Sequence, residues 1–121
     1  MRKITGSELR DVLREHKRWL NDEDGAKRAD LRGTDLYSVD LSGANLRGAD
    51  LDYSELPLWC GSLAANFDDR QLKQIAYHLV KAGLKSENAS AETKRELRKL
   101  IDFANEFHRV EECGMIEWDA K

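Results

Sequence analysis

Between Ala29 and Leu58, apolar and polar positions recur with a period of five, which suits neither a helix nor a strand. Leucine fills the third place of every copy, at Leu31, Leu36, Leu41, Leu46, Leu51 and Leu56. An acid or its amide precedes each one, at Asp30, Asp35, Asp40, Asn45, Asp50 and Glu55. Before those stand Ala29, Thr34, Val39, Ala44, Ala49 and Ser54, small in all but one copy. Leucines five apart would scatter around a helix of 3.6 residues per turn and would alternate faces along a strand. They converge only if the chain turns a corner every five residues, with first and third places inward and the others facing water. Gly33, Gly43 and Gly48 suit such corners, because positive φ costs glycine little. Four sides would close a coil of about twenty residues and stack Leu31 on Leu51 and Leu36 on Leu56, at the strand spacing of ~4.8 Å. The spacing by itself does not fix the number of sides.

On either side of this block the period returns to that of a helix. Over 5–20, Thr5 as N-cap and Glu8 three residues later form a capping box, with Ile4 and Leu9 placed as a hydrophobic staple. Leu9, Val12, Leu13, His16, Trp19 and Leu20 make one apolar stripe, and Asn21–Gly25 ends the helix. A first coil presents an unpaired edge and an open leucine core, so this stripe is predicted to lie across it as a cap; docking on a partner chain is the alternative.

The repeats break at Pro57, after which Leu58, Trp59 and Cys60 form an apolar cluster and 61–66 reads as a loop. A second helix is predicted over 68–83, with Asp68 as N-cap, Gln71 in the box, Phe67 and Leu72 as staple, and Gly83 at C′. Its predicted buried stripe is Leu72, Ile75, Ala76, Leu79 and Val80, with His78 beside it as a structural residue. Ser90 opens a third helix over 91–112 that carries Leu97, Leu100, Ile101, Phe103, Ala104 and Phe107. So wide a stripe implies contact on more than one side. Leu100, Phe103, Ala104 and Phe107 are accordingly the predicted interface of a twofold homodimer, and 115–121 is a tail.

The A(D/N)LXX pattern of 29–58 resembles the pentapeptide-repeat family, whose members form a right-handed quadrilateral β-helix. The lead-in LREHKRWLND is similar to the helical lead-in of small bacterial and prophage members. The resemblance implies a short β-helix of about one and a half coils. The helical patterns on either side of it complete the expected α+β fold with an N-terminal capping helix and a C-terminal helical hairpin that the resemblance does not cover. Its six copies cover a quarter of the chain, and the expectation for 1–121 is one domain.

Composition narrows the function classes. Twenty basic and 23 acidic residues leave no polybasic footprint for nucleic acid. No apolar run approaches eighteen residues and no signal peptide is evident, so a cytoplasmic protein without membrane contact, in a bacterial host, is expected. Cys60 and Cys113 are expected as reduced thiols. His78, His108 and the two cysteines lack the spacing of a metal site, the glycines are not a phosphate loop, and Glu111–Glu112 has no partner base. Neither an enzyme nor a cofactor is expected.

What remains is an uneven surface charge. Residues 1–28 carry net +2 and 59–121 net −1, whereas the repeats carry net −4. Asp30, Asp35, Asp40, Asp50, Asp52 and Glu55 are then either solvated and corner-bonded or an acidic face for a basic protein partner. The resemblance suggests an inhibitor of a bacterial defence or DNA-processing complex, such as a CRISPR effector. A structural module working through the helical hairpin is the alternative. A gyrase-binding DNA mimic fits poorly, since one and a half coils rise only about 7 Å and duplex DNA carries a charge every ~1.7 Å.

Overall fold

Thr5 begins the first helix as its chemistry requires. Its hydroxyl accepts from the Glu8 N–H at 3.1 Å, and the Glu8 carboxylate accepts from the Thr5 N–H at 3.3 Å, so two donors that the helix cannot satisfy find partners. The computed structural model describes residues 1–37, 39–56 and 65–117. Its elements are β1 (Arg2–Lys3), α1 (Gly6–Leu20), β2 (Thr34–Asp35), α2 (Asp69–Lys85), α3 (Ala91–Arg98), α4 (Ile101–Ala104) and α5 (Val110–Cys113). The chain expected as one domain divides into two compact units, Met1–Asp68 and Asp69–Lys121.

In the first unit the five-residue rule holds at every described corner. The carbonyls of Leu31, Leu36, Leu41, Leu46 and Leu51 each accept from the N–H three residues on, at 2.9–3.2 Å, which closes a turn after each leucine. Gly33, Gly43 and Gly48 sit at φ +62°, +74° and +76° in these turns. Leu31, Leu36, Leu41 and Leu46 are fully buried and Leu51 nearly so, with Leu56 half-buried beside them. Ala29, Thr34 and Ala49 are buried as first-place residues.

Parallel bridges join Asp30 to Asp50 and Asp35 to Glu55, a stacking offset of twenty residues, or four pentapeptides per level. The ladder bonds are short, as in Leu31 N–H to the Asp50 carbonyl at 2.9 Å and Glu55 N–H to the Thr34 carbonyl at 3.1 Å. Only one or two pairs fit on a side before the next corner. The described residues therefore hold isolated bridges and two-residue strands instead of continuous strand.

Both edges of the ladder are occupied, in ways the periodicity did not indicate. β1 pairs in parallel with β2, Arg2 opposite Thr34 and Lys3 opposite Asp35, so the first edge is covered by a strand and not by the helix alone. The Arg2 guanidinium fastens it by donating to Thr34 Oγ1 and, at 2.7 Å, to the Asp30 carbonyl. Leu9, buried, and Ile4, Val12 and Leu13, half-buried, join the leucine cluster. At the other edge Asn66 bridges Asn45, exchanging bonds of 2.7 Å and 2.9 Å with Ala44 and Leu46. Ala65, Asn66 and Phe67 thus take the small, amide and apolar places of a further copy set one residue out of register, where a loop had been expected over 61–66. Pro57, the Leu58–Trp59–Cys60 cluster and 61–64 lie outside the described residues.

The second unit departs further from expectation. α2 runs through Gly83, which is no C′ residue: a Cβ there would collide with Leu97 Cδ1, so glycine permits the close approach of α2 and α3. The buried face of α2 is Gln71, Gln74, Tyr77, Val80 and Leu84, while Leu72 and Leu79 of the predicted stripe are 43% and 55% exposed. Gln71 and Gln74 shifted the face by one position, because a search for apolar spacing passes over buried amides.

The single helix expected over 91–112 is three pieces. Ser90 caps α3 by accepting from the Thr93 N–H at 3.1 Å, but Lys99 and Leu100 bond three residues back, as do Glu106 and Phe107, and each tightened turn redirects the chain. Tyr77, Val80, Leu84, Ile101, Ala104, Phe107 and Ile116 form the core. Ile116 is held by a reciprocal pair with the Asn105 amide at 2.8 and 2.9 Å, so 115–117 is built into the unit and is not a tail. Residues 118–121 lie outside the described residues.

Candidate interaction surface

The second-place acids have a structural duty first. Asp30, Asp35, Asp40, Asn45 and Asp50 each accept, through Oδ1, the backbone N–H two residues on, at 2.9–3.3 Å. Each bond braces the corner from outside, and an amide serves as well as an acid. The next such N–H would belong to Pro57, whose nitrogen carries no hydrogen, so the rule ends where the chain chemistry withdraws the donor.

The six acids expected on one face are therefore not equivalent. Arg32 lies between Asp30, at 2.9 Å, and Asp50, at 3.6 Å, and offsets part of the like-charge repulsion on the first side. The Arg32 hydrogen bond holds the Asp30 carboxyl down to about 2. Asp52 is buried and so presents no charge to a partner, which corrects its place in the predicted face. Asp40 is exposed, and its carboxyl is held below the ordinary range by the Ser42 N–H and hydroxyl. Asp35 and Glu55 stack in register with Lys3 beside Asp35, yet among the described residues no cation reaches either acid within ion-pairing distance.

Two tyrosines border this second side. Tyr37 is 70% exposed and Tyr53 is 64% exposed. Tyr53 stands where three of the other five copies carry glycine and adopts φ +62°, a strained geometry for an aromatic residue. The pattern search overlooked both, although a tyrosine in a glycine place was a visible signal.

His16, expected only as part of an apolar stripe, is a polar joint of the first unit. It is fully buried; its Nδ1 accepts from the Ala29 N–H at 3.0 Å, so its Nε2 carries the hydrogen and donates to the Arg47 carbonyl at 2.6 Å. The ring stacks on Trp19 at 5.4 Å, and Arg28 lies over the other aromatic ring at 5.9 Å. Burial, with Arg28 adding a smaller push, lowers the imidazole below its ordinary value, and the bond to Arg47 only partly opposes this.

In the second unit the predicted dimer residues separate. Ala104 and Phe107 are buried in the unit's own core and offer nothing to a second copy. Leu100 and Phe103 remain 39% and 38% exposed. Tyr77 donates to the Gly114 carbonyl at 2.6 Å, and Lys81 donates to Tyr77 and to the Cys113 carbonyl. His78 packs edge-on against Phe107 and is lowered by burial and then by Lys81. Among the described residues no three His, Cys, Asp or Glu side chains are grouped to hold a metal ion. Nor is any helix there long and apolar enough to cross a membrane.

No curated protein and no solved structure matches the chain. Residues 26–56 match pentapeptide repeats, counted in eight copies, beginning three residues before the block read from leucine spacing. With a closed turn after each leucine from Leu31 to Leu51 and levels stacked twenty residues apart, residues 26–56 are a block of pentapeptide repeats.

Proposed function

We propose that the repeat block is a short right-handed, four-sided β-helix and that the protein is a non-enzymatic interaction module. Its binding side carries Asp35 and Glu55 between Tyr37 and Tyr53. One observation supports this reading above the others: Asp35 and Glu55 stack as like charges with no ion-paired cation among the described residues, whereas Asp30 and Asp50 both ion-pair with Arg32. Such a side suits a basic protein surface, including the nucleic-acid channel of a bacterial defence or DNA-processing complex, and steering would make association salt-sensitive.

The test is affinity capture from a bacterial lysate at low and high salt, using the natural chain, Asp35→Lys/Glu55→Lys and Phe103→Asp. Salt-sensitive recovery of a nucleic-acid enzyme, lost in the first variant and kept in the second, supports the reading. A second reading, an assembly module of the helical unit, draws on the exposure of Leu100 and Phe103. Loss of every partner in Phe103→Asp alone would favour it and sink the first.

A further inference from the structure

The contacts of His16 carry an inference about how the N-terminus is held. α1 meets the repeats through the apolar contacts of Leu9, Val12 and Leu13. Its polar link is one buried ring that bonds two backbone sites, Ala29 ahead of the first corner and Arg47 on the fourth side. Both bonds exist together only in the neutral Nε2–H form, because an imidazolium has two donors and no acceptor. A proton on Nδ1 would set two N–H groups against each other in a site that water does not reach.

The surrounding charges do not welcome an imidazolium. Arg28, on the segment leading into the repeats, is the cation that acts on the ring. Lys27 stands next to it in the chain. From α1 the nearby acids are Asp11, paired with Arg14 at 3.3 Å, and Glu15, committed to Arg18 at 2.9 Å. From the repeats come Asp30, committed to Arg32, and Arg47, whose guanidinium donates to Asn45 at 3.0 Å. Among the described residues no carboxylate hydrogen-bonds or ion-pairs with the ring, and Trp19 covers one face.

We propose that His16 is a proton-operated latch: neutral, it fastens Met1–Leu20 to the repeat block, and protonated, it releases that segment and uncovers the Gly33–Asp35 edge of the ladder. β1 follows α1 because only Ile4 and Thr5 separate them. Since the ring is lowered in the folded chain, the unfastened state binds the proton more readily. The latch is fully closed above about pH 6.5, the ordinary histidine value, and weakens as pH falls below it. The Asp30 and Asp40 carboxyls, held below the ordinary carboxylate range, titrate lower still, so the two effects occupy separate ranges.

Hydrogen exchange of the full chain, corrected for intrinsic rate, tests this at pH 7.5 and pH 5.0. Protection over 2–20 should fall between pH 7.5 and pH 5.0. The drop should vanish in His16→Gln, which cannot titrate. Should that variant not fold, His78→Gln/His108→Gln leaves His16 the one titrating histidine, and the drop must persist there. Unchanged protection over 2–20, or a drop retained in folded His16→Gln, would overturn the proposal.

Discussion

The two units obey different kinds of rule. In Met1–Asp68 each corner is fixed by bonds to residues two and three places away: an Asx oxygen to its i+2 N–H and a leucine carbonyl to its i+3 N–H. In Asp69–Lys121 no comparable motif recurs, and what buries a residue is a contact far along the chain, as when Tyr77 meets Phe107 at 4.9 Å and Gly114 through its hydroxyl. A short sequence motif can therefore specify the first unit one side at a time, whereas the second is specified only once its helices meet.

The largest effect that would break this comparison is cavity formation in the ladder. Leu36 is fully buried, so Leu36→Ala should lower stability by about 3 kcal/mol in a urea titration. Leu79→Ala, at a position the apolar spacing also marked, should lose under about 1 kcal/mol because that side chain is more than half exposed. Equal losses would mean the spacing had been right and the tertiary reading wrong.

A smaller effect separates backbone from packing at glycine corners. Gly43→Ala meets open space at φ +74° and should lose about 1 kcal/mol, the left-handed penalty of a Cβ. Gly48→Ala carries the same penalty and also brings its Cβ to 3.0 Å from Trp19, so it should lose more, about 2 kcal/mol. Thermal melts followed by circular dichroism would rank the two, and identical midpoints would remove Trp19 from the account.

The smallest effect concerns the acids. Asn45 braces its corner without charge, so Asp30→Asn should keep the turn and lose under ~1 kcal/mol, the ordinary worth of an exposed ion pair. The sign of its pH dependence follows from the depressed Asp30 carboxyl. Its contribution is present above 3.8 and lost as pH falls towards about 2, since the unfolded chain takes up the proton first. Acid titration of Asp30→Asn should be shallower than that of the natural chain in this range alone.

The period of five, the inward leucines and the Thr5–Glu8 capping box were legible because each rests on neighbours in sequence. β1 was not, since two residues carry no period, and their pairing partner lies 32 positions away. The Ala65–Asn66–Phe67 copy was missed because it is one residue out of register and substitutes phenylalanine for leucine. The acidic face read as uniform because a list of charges does not show that Arg32 sits between two of them or that Asp52 is buried.

By itself, the sequence determined that thirty residues turn a corner at every fifth position and that helices flank them, because those features arise from turns and caps within four residues. Only the tertiary structure decided which face of α2 is buried, where the chain from 91 to 113 bends, and that His16 joins a helix to two corners through opposite nitrogens. These depend on which distant groups come to share a space, and no local pattern of polarity encodes that.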